Sequence, residues 1–198
     1  MAPAGAYPRD ADLGPETAPA GAGRERALGC AGVKIFLVRH GIAGDPDEWK
    51  GPDDSRPLNA KGRRKFRDTA RAFAKLGERV DLLCTSPLVR AVQTAEILAD
   101  ALELDEVSVL EDLRPEVPVQ KLLDKMATLD VKRVALVGHD PQLSGIAAAL
   151  GKVEPARIDF PKGAIIRFDA DDPAGRRAEA RWWLEPGEKK PHDGLPLK

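Results

Sequence analysis

The chain has 198 residues, 42% hydrophobic and 32% charged, with 31 basic and 32 acidic side chains and a net charge of −1. That balance gives no electrostatic footprint for nucleic acid or an anionic membrane surface, and no apolar run is long enough to span a bilayer. The composition is that of an ordinary globular protein, with length for one domain and appendages.

Residues 1–32 hold nineteen Ala, Gly or Pro and no apolar periodicity, so they are expected to form a disordered arm. Pro3, Pro8, Arg9 and Asp10 interrupt the apolar stretch that a secretory signal requires. Two cysteines, Cys30 and Cys84, form no CxxC and have no neighbouring histidine, which argues against zinc and fits a reducing cytoplasm. One compact domain is expected over 33–185. Beyond it, 186–198 carries Pro186, Pro191 and Pro196 and is expected as a flexible C-terminal tail.

The domain opens on Val33-Lys34-Ile35-Phe36-Leu37-Val38-Arg39-His40-Gly41, an apolar run ending in Arg, His and Gly. Such a run predicts a strand covered on both faces. Ile42 to Pro57, rich in Gly, Pro and Asp, is predicted as a long loop bordering the substrate entrance. Phe66, Thr69, Ala70, Phe73 and Leu76 fall at helical spacing, and Gly77 is a natural stop. Val80 to Thr85 predicts a second strand, which runs into Ser86 as helix cap, Pro87 as first helical residue, and the buried series Leu88, Ala91, Val92, Ala95, Leu98, Ala99 and Leu102. Glu106 to Leu110 is a short strand or connector. Val119, Leu122, Leu123 and Met126 mark another helix, and Val131 to Val137 another strand. That strand ends in Gly138-His139-Asp140-Pro141, where a cap and a proline again precede an amphipathic series, Leu143, Ile146, Ala147 and Leu150. Gly163 to Phe168 and Ala178 to Leu184 read as a late hairpin or edge pair. Strand and helix alternate, so the expected class is α/β: a three-layer sandwich, its mainly parallel central sheet carrying helices on both faces.

In such sheets ligands bind beyond the carboxyl ends of the strands. Three predicted strand ends carry Arg39-His40-Gly41, Ser86 through Arg90, and Gly138-His139, which account for two of the chain's three histidines. Helix N-termini attract anions, and two arginines can clamp a phosphate through planar, multidentate hydrogen bonds. Arg90 stands in a helix's first turn, where a cation opposes the helix dipole unless an anion faces it. A lone histidine after a strand is ordinarily structural; the grouping at equivalent strand ends is what points to phosphate chemistry.

These residues, Arg39-His40-Gly41, then Ser86-Pro87-Leu88-Val89-Arg90-Ala91-Val92-Gln93-Thr94-Ala95 and later Gly138-His139, resemble the histidine phosphatase superfamily, over roughly Val33 to Leu184. Small size and short spacing between motifs resemble most closely its SixA-type phosphohistidine phosphatases, rather than its phosphoglycerate mutases. The resemblance implies a phosphoglycerate mutase-like fold and a hydrolase needing no metal or other cofactor. In it His40 would attack phosphorus to form a phosphohistidine intermediate, while Arg39, Arg90 and His139 bind the phosphoryl oxygens and water completes the hydrolysis. It implies as partner a protein phosphorylated on histidine or a small phosphorylated metabolite, with no nucleic acid and no membrane.

One departure stands out. Mutase-like relatives protonate an oxygen leaving group with a carboxylic acid on the loop before the second histidine. Where that acid would follow Leu113, this chain has Pro115, leaving Asp112 or Glu116 as substitutes. A missing acid fits a phosphoramidate substrate; a working Asp112 or Glu116 would instead fit a small-molecule phosphomonoesterase. The remaining alternative is a non-catalytic phosphate-binding module.

Overall fold

The computed structural model describes residues 32–198. The expected arm, and Cys30 with it, lies outside the described residues apart from Gly32. Seven strands form one sheet: β1 (Val33–Arg39), β2 (Leu82–Thr85), β3 (Ser108–Val109), β4 (Arg133–Gly138), β5 (Ile165–Ala170), β6 (Glu179–Leu184) and β7 (His192–Asp193). Four helices accompany them: α1 (Ala60–Lys75), α2 (Val89–Leu102), α3 (Val119–Ala127) and α4 (Gln142–Gly151). The strand order is β3-β2-β4-β1-β5-β6-β7. The core strands β3, β2, β4 and β1 run parallel, and β5, β6 and β7 continue antiparallel beside β1.

The period-2 alternation of β1 divides the molecule into three layers. Phe36 and Val38 join Ala135 and Val137 of β4 under Phe66 and Phe73 of α1 and Ala91, Ala95 and Leu98 of α2. Ile35 and Leu37 join Val134 and Leu136 on the opposite side, under Leu122 and Met126 of α3 and Leu143, Ile146 and Leu150 of α4. Because both faces are covered, β1 and β4 needed continuous apolar runs, which is why they were easy to predict.

Three local expectations are corrected. Ser86 and Pro87 lie outside α2, whose N-cap is Leu88; Ser86 Oγ meets both the Leu88 N–H and His139. Asp140 does not cap α4 either; the cap residue is Pro141, and Asp140 accepts a bond from Ser144 instead. Finally, the stretch 186–198 is not a plain tail. Its His192–Asp193 forms β7 on β6, Leu197 bridges to Ile158, and Leu195 packs on the core.

Candidate active site

Register brings the three strand ends together. Arg39 is level with Gly138 and Thr85 with Val137, so His40, Ser86 and His139 each follow directly on adjacent parallel strands. Backbone bonds carry the alignment one residue further: His40 N–H donates to Gly138 O at 3.0 Å and Ser86 N–H to Val137 O at 2.9 Å. The His40 and His139 rings consequently stand 5.0 Å apart, centroid to centroid.

His40 is buried, and its Nδ1 lies 2.7 Å from the carbonyl oxygen of Gly41. A ring nitrogen facing a carbonyl carries the proton, so Nε2 keeps the lone pair that a nucleophile needs. Burial, reinforced by His139, pushes the His40 pKa down to about 3. Burial, and then Arg90, likewise pushes His139 down to about 3. Both rings are neutral at physiological pH.

Ser86 sets the other ring. Its Oγ accepts the Leu88 N–H at 3.4 Å and lies 2.9 Å from His139 Nε2. The Ser86 hydroxyl can donate its proton to Nε2, an arrangement that places the imidazole proton on Nδ1. His139 Nδ1 is buried without a hydrogen-bond partner among the described residues, as are Arg39 Nε and Arg90 Nε. Unpaired buried donors are costly unless a ligand completes them, and all three belong to residues chosen from the sequence for phosphate binding. Gln142 Oε1, also unpaired, is an acceptor and has no such role. Replacing Ser86 with alanine is expected to lower kcat about tenfold, the equivalent of one ordinary hydrogen bond. The same change should shift His139 toward the Nε2–H tautomer in its ¹⁵N spectrum; an unaltered tautomer would show that Ser86 does not orient the ring.

Arg39 and Arg90 are held differently. Arg39 donates from Nη1 to the Phe160 carbonyl and stands 3.8 Å from Asp140. Arg90, 5% exposed, donates from Nη1 to Asp53 O at 2.9 Å and pairs from Nη2 with Asp53 Oδ2 at 3.0 Å. Burial lowers both guanidinium pKa values from their usual value, without threatening their charge. Thr94 ties this corner together, accepting the Gly41 N–H and donating to Arg90 O.

The Ile42–Pro57 loop therefore does reach the site, through residues the sequence reading did not select. Asp53 also accepts from Arg56 Nε at 2.8 Å, and that bond together with Arg90 holds its carboxyl below the usual carboxylate range. The sequence signal was an Asp and an Arg three residues apart inside a polar loop, which is common at surfaces. Neither proposed acid joins the histidine pair. Asp112 pairs with Lys121 at 3.2 Å, and the Glu116 side chain is 65% exposed, 3.8 Å from Arg114. Cys84 is buried, and burial pushes its thiol up to about 11, as befits an inert packing residue. Among the described residues one trio has metal-ligand spacing, Glu185, Glu188 and His192, but it belongs to the β6–β7 end of the sheet rather than to these strand ends.

Comparison with known proteins identifies the family and the fold. The histidine phosphatase superfamily (branch 1) matches residues 35–117. An uncharacterized protein of Picosynechococcus sp. is 34% identical over 138 residues, covering 68% of this chain and 83% of that protein. The structure of the protein histidine phosphatase SixA complexed with tungstate superposes with a TM-score of 0.69 at 27% identity, over 78% of this chain and 97% of that one. A mycobacterial glucosyl-3-phosphoglycerate phosphatase shares the fold, with a TM-score of 0.59 at 18% identity, over 75% of this chain and 96% of that one.

Proposed function

We propose, from the premise that the chain belongs to the histidine phosphatase superfamily, that it is a metal-independent phosphatase acting on phosphohistidine in a protein partner. The observation that carries this reading is a free His40 Nε2 with no hydrogen bond or ion pair from Asp53, Asp112 or Glu116 to either histidine among the described residues. Asp53 is bound to Arg56 and Arg90, Asp112 to Lys121, and Glu116 points to solvent near Arg114. A carboxylate engaged by a cation and out of contact with the histidines is poorly placed to donate a proton, and an ester oxygen leaving group needs one. The nitrogen of a phosphohistidine leaves as neutral imidazole once solvent has protonated it.

In the first half-reaction the His40 Nε2 lone pair forms the new N–P bond as the substrate's N–P bond breaks. Arg39, Arg90 and the Nδ1–H of His139 take up charge on the three equatorial oxygens; such positioning and neutralisation is most of what phosphoryl transfer requires. Water then attacks the phosphorylated His40, releasing inorganic phosphate and restoring the free ring. The Gly41 carbonyl holds the ring through both steps.

The test compares a chemically phosphorylated histidine peptide with a sugar phosphate. We expect kcat/KM to favour the phosphoramidate by about 10²-fold or more, the contribution a general acid ordinarily makes to ester cleavage. Comparable rates on the sugar phosphate, lost in Asp112→Asn or Glu116→Gln, would establish the small-molecule phosphomonoesterase instead. Binding of both compounds without turnover would leave a phosphate-binding module.

A further inference from the structure

Helix α1 has an unusual charge balance for a chain whose net charge is −1. It holds seven cations, Lys61, Arg63, Arg64, Lys65, Arg67, Arg71 and Lys75, and a single anion, Asp68. Its apolar residues Phe66, Ala70 and Phe73 are spent on the core. Lys61, Arg64, Arg67, Arg71 and Lys75 are exposed and recur every three or four residues, so they form one ridge, about 21 Å long at the helical rise. Arg71 meets Asp68 at 3.7 Å; Lys61, Arg64, Arg67 and Lys75 have no ion pair among the described residues.

A solvated helix face ordinarily mixes signs. The exposed residues of α3, by comparison, include Lys121, Asp124 and Lys125. The ridge moreover begins at the wrong end for stability: the first turn of α1 contains no acid, and its cations oppose the dipole. Its position is also specific. Asn59, the N-cap, donates its backbone N–H to Ile42 O at 3.1 Å and its side chain to Ala43 O at 3.0 Å. Lys65 and the exposed Lys162 line a small depression with Gly41 and Ile42, one and two residues beyond His40. The ridge thus runs outward from the rim of the catalytic loop.

We infer that this ridge is the docking surface for an acidic face of the protein that carries the phosphohistidine, an inference that rests on the function proposed above. A membrane fits less well, because the apolar stripe of α1 faces inward and leaves nothing to insert. Single-stranded nucleic acid fits less well too, since the ridge offers no aromatic platform for bases. An acidic protein surface needs neither, and charge complementarity of this kind acts chiefly on encounter rate.

The experiment uses the full chain and three chemically phosphorylated probes: a histidine peptide flanked by Asp and Glu, one flanked by Ser and Gly, and phosphoimidazole. At low salt kcat/KM for the acidic peptide should exceed that for the neutral one about tenfold, and the ratio should fall as ionic strength rises. The R64E/R67E/R71E variant should lose the preference while hydrolysing phosphoimidazole as before, and R64Q/R67Q/R71Q should lie between. Equal rates on the two peptides in the unmodified protein, or a preference that survives in the triple variant, would overturn the assignment. So would binding to phosphatidylserine vesicles that the triple variant loses, without any peptide preference. Failure to hydrolyse phosphoimidazole would count against the phosphohistidine reading alone; affinity for the unphosphorylated acidic peptide, lost or kept in the triple variant, would then decide the surface by itself.

Discussion

Replacing His40 with alanine should abolish turnover, lowering kcat by on the order of 10⁴-fold or more, because it removes the atom that bonds to phosphorus rather than one that assists it. Incubating the unmodified protein with radiolabelled phosphoramidate should leave a label stable to alkali and labile to acid, mapping to His40 and missing from the variant. His139 is 5.0 Å away but cannot substitute, since its Nε2 is engaged by Ser86. Because burial holds His40 near a pKa of about 3, kcat/KM for labelling should show no inflection near 6.5, where an exposed imidazole would be lost to protonation. The sign follows from the direction of the shift: a histidine whose pKa is depressed stays a lone-pair donor well below pH 6.5. Full labelling of the His40→Ala protein would overturn the assignment of the nucleophile.

The legibility of this site in the sequence was uneven for physical reasons. Arg39, His40 and His139 were recognisable because β1 and β4 are apolar on both faces, so a polar residue at their ends stands out sharply. Arg90 was recognisable by its place in the first turn of α2. Ser86 was misassigned because local rules treat a serine before a helix as its cap, whereas its shorter hydroxyl contact is to His139, 53 residues away. Asp53 and Arg56 were invisible for a similar reason: their significance comes from Arg90 across the fold. The end of the chain was read as a tail because β7 is two polar residues long and is held by backbone pairing, which leaves no periodic trace. Side chains that pack announce themselves; polar groups that pair over long distances do not.

Gly62→Ala should be destabilising, although helix propensity alone predicts the reverse. Gly62 is the third residue of α1, and alanine at a helical position ordinarily gains about 0.5–1 kcal/mol over glycine. Here a Cβ would lie 1.9 Å from the Ile42 carbonyl oxygen, 2.8 Å from its carbon and 2.9 Å from its nitrogen. Those are backbone atoms, so no rotamer change relieves the clash; helix or loop has to move. Overpacking of this severity belongs at the upper end of its usual range, about 3 kcal/mol, which exceeds the propensity gain and leaves a net loss of roughly 2 kcal/mol. For a protein of this size Tm should drop by about 4–8 °C. Activity should fall as well, since Ile42 is two residues from His40 and the Asn59–Ile42 hydrogen bond fixes the loop between them. Ground lost in Tm but not in kcat would mean that the helix yields; ground lost in kcat would mean that the catalytic loop does. A gain in Tm would show that α1 does not press on the loop as described, and the ridge of α1 would then lose its fixed place beside the site.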